Sequence, residues 1–69
     1  MQRWVKVFED KQGYKAEIVK GKLKEAGIEA VVLNKKDAAY TIFGHYEVLV
    51  PPAKALQAIR IVEHDIDFT

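Results

Sequence analysis

The chain holds no cysteine and no serine, and each absence removes a class of chemistry. Without cysteine there is no disulfide, no thiolate nucleophile and no donor set of the kind that most structural zinc sites use. Without serine the commonest hydroxyl nucleophile is gone too. Threonine, lysine and the carboxylates remain, none in a recognisable nucleophile and base constellation. Glycine is scarce and scattered, at 13, 21, 27 and 44, so no phosphate-binding loop is spelled out. The longest apolar runs fall far short of the ~20 residues that cross a bilayer. Met1-Gln2-Arg3-Trp4 enters a strand pattern directly, without a leader-like segment, and a cytoplasmic location is expected. A formal net charge of +1 gives no general attraction to nucleic acid or acidic membranes.

What is there is a short chain of mixed charge, read as one domain over residues 1–69. A chain of this size buries only about 60% of its unfolded surface. Small domains add disulfides, metals or self-association to a modest core, and with disulfides excluded a homo-oligomer is the expected route. Residues 1–36 carry nine Lys and Arg against five Asp and Glu, while residues 37–69 carry two against five. The halves therefore differ in sign, a pattern that solvated helix faces produce readily.

Periodicity places the elements. Trp4 to Phe8 alternates, with Val5 and Val7 on one side and Trp4, Lys6 and Phe8 on the other, as in a half-buried strand. After a polar turn at 10–13, Ala16, Val19, Leu23 and Ala26 recur at helical spacing. Gly27 stands where a left-handed residue closes a helix, and Ile28 is placed to fold back on the last turn. Ala30 to Leu33 is an apolar run rich in β-branched residues, a second strand. The connection from Asn34 to Gly44 starts polar and then turns apolar at Tyr40, Ile42 and Phe43. His45 to Val50 alternates again, with Tyr46, Val48 and Val50 opposed to His45, Glu47 and Leu49. Pro51 and Pro52 end that strand and open a second helix, with Ala55, Leu56, Ile59 and Val62 as its expected core stripe. Gly21, inside the first helix, costs about 1 kcal/mol relative to alanine; it either admits a close neighbour or is simply tolerated.

The order β-α-β-β-α predicts an α+β, ferredoxin-like split β-α-β fold lacking its final strand. Handedness of the crossover puts the third strand between the first two, antiparallel to each, in a three-stranded sheet with both helices on one face. The opposite face would then show Trp4, Phe8, His45 and Leu49, and the first strand would form an edge.

The run Ala16-Glu17 through Lys20-Gly21, Leu23, Gly27-Ile28 and Ala30-Val31-Val32, followed by a valine-rich strand passing through proline into the alanine-rich stretch Val48 to Ala58, carries a resemblance. The chain resembles a bacterial domain-of-unknown-function family of signal-transducing proteins. That resemblance implies a small ferredoxin-like domain, remotely similar in fold to PII-type proteins. It does not carry nucleotide binding across, because PII-type proteins are longer and complete a fourth strand, and Lys35 and Lys36 are the only basic residues in the corresponding connection here.

No enzyme, no cofactor and no metal site is expected. His45 and His64 are far apart, with neither a serine nor a carboxylate at ligand spacing beside them; Asp65 and Asp67 near His64 fall at a helix end. The favoured function is a non-catalytic protein-interaction or regulatory domain, pairing with itself or with another protein. Its contacts would be Trp4, Phe8 and Leu49 on the open sheet face and Tyr40, Ile42 and Phe43 in the 34–44 connection. The alternative is a sensor of a small metabolite or nucleotide beside Lys35, Lys36 and His45. An RNA-binding module shares the topology, but His45, Glu47 and Leu49 do not spell the aromatic and basic signature of its third strand. Nucleic acid is therefore not an expected partner.

Overall fold

A computed structural model describes residues 3–35, 45–64 and 66. The chain runs β1 (Val5–Asp10), α1 (Gly13–Glu25), β2 (Val31–Lys35), β3 (His45–Val50) and α2 (Ala55–His64). The sheet has the order β1-β3-β2, with β3 antiparallel to both neighbours. This is the α+β arrangement that the order of elements and the crossover rule predict. Among the described residues the sheet ends in β1 on one side and β2 on the other.

Local chemistry starts and stops each helix. Asp10 Oδ1 accepts the Gln12 backbone N–H at 2.8 Å, turning the chain out of β1, and α1 opens at Gly13. A Cβ at position 13 would stand 3.0 Å from the Tyr46 ring, so the glycine lets the first turn lie against β3. At the other end Gly27 takes φ +81. The Gly27 N–H donates to the Lys24 carbonyl at 3.0 Å and the Ile28 N–H to the Leu23 carbonyl at 2.9 Å. That pair of bonds is the Schellman closure, with Ile28 packed back toward Leu23 as its apolar contact. Pro51 is extended, Pro52–Lys54 makes one 3-10 turn, and α2 follows.

The core lies between the helices and one face of the sheet: Ala16, Val19 and Leu23 of α1, Ile28 and Ala30 before β2, Val48 and Val50 of β3, and Ala58 of α2. Three expected stripe residues fall outside the core cluster, one of them the half-buried Ile59. Ala26 is the C-cap of α1 and is exposed. Leu56 is 73% exposed. The 3-10 turn sets the phase of α2 from Ala55, so its buried face runs through Ala55, Ala58 and Val62, and Leu56 points away. Among the described residues nothing lies within 4 Å of the place a Gly21 Cβ would occupy, so none of them needs the glycine for a close approach. Among the described residues no helix is long and apolar enough to cross a membrane.

Candidate functional site

Among the described residues one face of the sheet carries no helix, and a break in the alternation of β1 decides what it displays. Val5 pairs with Val50 and Lys6 with Leu49, but the next pair is Phe8 with Val48, so Val7 is an extra residue in a β-bulge. Directly opposed residues share a face, so Phe8 turns with Val48 to the core side, and both Val7 and Phe8 pack against the core cluster. Glu9 then pairs with Glu47 and reaches the open side. The expectation that Phe8 belongs to the open face is therefore corrected. Strict alternation would have sent Phe8 out and Glu9 in; the bulge exchanges them.

Read across β1, β3 and β2, the open face has one row of Lys6, Leu49 and Val31 and a second of Glu9, Glu47 and Leu33. A third pair, His45 with Lys35, closes the end. The β2 side is apolar, with Val31 38% and Leu33 42% exposed beside half-buried Leu49. Toward β1 the face is charged. His45 Nε2–H donates to Glu47 Oε2 at 3.0 Å and lies 3.5 Å from Glu9 Oε2. Lys6 Nζ stands 3.1 Å from Glu9 Oε1 and 3.9 Å from Glu47 Oε2. The hydrogen bond from His45 holds the Glu47 carboxyl below its ordinary value of 4.5, and the charges of Lys35 and Lys6 pull the same way against the effect of burial.

Of the residues singled out in sequence, Leu49, Lys35 and His45 meet on this face, and Trp4 is half-buried just before β1. Lys35 belongs to β2, not to a connecting loop, since the strand extends past Leu33 and pairs Lys35 with His45. Lys36, Tyr40, Ile42 and Phe43 lie outside the described residues. Glu9, Glu47, Val31 and Leu33 were missed. Two signals could have found the acidic pair. His45 and Glu47 are two apart in a strand and so share a face. Val7 and Phe8, adjacent apolar residues between charged Lys6 and Glu9, suit a bulge better than an alternating strand.

The site holds no nucleophile poised beside a base among the described residues. It presents an apolar surface beside a cluster of opposed charges. The sequence model of one family, described as "Putative prokaryotic signal transducing protein", matches residues 4–65. No curated protein and no solved structure matches the chain at a significant level.

Proposed function

Because the chain belongs to the family described as "Putative prokaryotic signal transducing protein", we propose that it is a non-catalytic interaction domain that docks a protein partner on the face of its sheet turned away from α1 and α2. The observation that carries the reading is the cross-strand group of Val31, Leu33 and Leu49, apolar and in part exposed, lying beside charges of both signs. Apolar surface of this kind, rimmed by polar groups, is what protein interfaces use. β2 ends at Lys35 and β3 begins at His45, its cross-strand partner, at one end of the face.

A second copy of the chain is the first partner to test, because a domain with so small a core gains most from self-association. Light scattering across a wide dilution series is expected to give a dimer, and Leu33→Lys to weaken it roughly tenfold or more. Unchanged folding of the variant, checked by circular dichroism, separates interface from core. A monomer at every concentration, together with equal capture of cellular partners by the parent and the Leu33→Lys variant, would sink the reading. Sensing of an anionic metabolite or nucleotide at Lys35 and His45 has less support. His45 is directed at two carboxylates, which repel phosphate.

A further inference from the structure

We propose that Glu9, His45 and Glu47 bind a divalent transition-metal ion, with zinc the best match to the donors. The three offer one imidazole nitrogen and two carboxylate oxygens, all within 4.8 Å of one another. Three protein donors leave a fourth position open, as catalytic zinc sites do.

Spacing supports the assignment. Two ligands held tetrahedrally at the usual zinc distances stand ~3.3 Å apart. His45 Nε2 lies 3.0 Å from Glu47 Oε2 and 3.5 Å from Glu9 Oε2, on either side of that value. Small side-chain adjustments would admit the ion between strands that already hold their backbone positions.

The register adds a separate reason. Glu9 and Glu47 are directly opposite in an antiparallel pair, where like charges are destabilising. They meet because Val7 is left out of the pairing; in an unbroken ladder that counted Val7, Glu9 would lie on the other face. Lys6 supplies the counter-charge, but it approaches Glu9 through Oε1, leaving Oε2 turned toward His45. Its half-exposed ammonium can swing into water when a dication takes its place. The other histidine offers a contrast: His64 has Glu63 4.0 Å away, both are widely exposed, and no third donor joins them among the described residues. The bound ion would pin the edge strand β1 to β3, whether or not a protein docks on the face.

The test is calorimetric titration of the chelator-treated chain with zinc chloride alone. Expected is one ion per chain, with His45→Ala and Glu47→Gln each weakening binding at least roughly tenfold and His64→Ala changing nothing. Lys6→Met is expected to tighten binding roughly tenfold, since the ammonium no longer repels the ion. Long-range proton–nitrogen spectra should show the Nε2 resonance of His45 moving and that of His64 still. Absence of binding at millimolar zinc overturns the proposal, as does binding that survives His45→Ala, is lost in His64→Ala or weakens in Lys6→Met. Far-ultraviolet circular dichroism of each variant separates loss of a ligand from loss of the fold.

Discussion

Gly27 is a position where a single methyl group is costly because of the backbone alone. At φ +81 an added Cβ meets the following carbonyl, so Gly27→Ala is expected to lose about 1–2 kcal/mol, read from the urea midpoint. Gly21 is the opposite case, a helical glycine with open space above it, and Gly21→Ala should gain up to about 1 kcal/mol in the same assay. Glu47 sets a pH dependence. Its folded-state carboxyl titrates below 4.5, so the stability it confers is complete above the unfolded value and is lost as the pH falls through the lowered one. Denaturation curves taken on either side of that window should show a steep acid limb in the parent and a shallower one in Glu47→Gln. An equal slope in both would mean that the pull of His45, Lys35 and Lys6 on this carboxyl is negligible.

At the scale of elements, β1 and α2 teach the same lesson about phase. Their existence and order were legible because alternation and helical spacing survive in the sequence, and the closure at Gly27 was legible because a glycine there has one use. Which residues of each element face inward was legible only in part. A one-residue slip moves every later side chain of a strand to the other face, and the bulge at Val7 makes that slip for Phe8, Glu9 and Asp10. In α2 the 3-10 turn does the equivalent, leaving Leu56 in water. Neither device is encoded in the period of its own element; both depend on what the neighbouring segment requires. Deleting Val7 should therefore be a mild change. The pairs Lys6 with Leu49 and Glu9 with Glu47 would persist, seen as unchanged cross-strand proton contacts, at a cost of about 1–2 kcal/mol for the lost valine packing.

For the whole molecule the relevant quantity is how little core there is to lose. Leu23→Ala should cost about 2–5 kcal/mol, set against the roughly 3–10 kcal/mol that a domain of this length commands in total. Calorimetry is expected to show its unfolding transition displaced far downward, whereas a shift no larger than that of a surface variant would contradict the burial assigned to this side chain. The sheet order has one more consequence, and it concerns how the molecule comes into being. β1 and β2 touch only through β3, which is last of the three to be made. With the chain made as far as residue 44, the two outer strands of the described sheet still lack the strand that joins them. The helix α1 can flicker into existence earlier, but the sheet cannot be assembled piecemeal from the front. The sheet closes only when β3 lies between the two strands made before it.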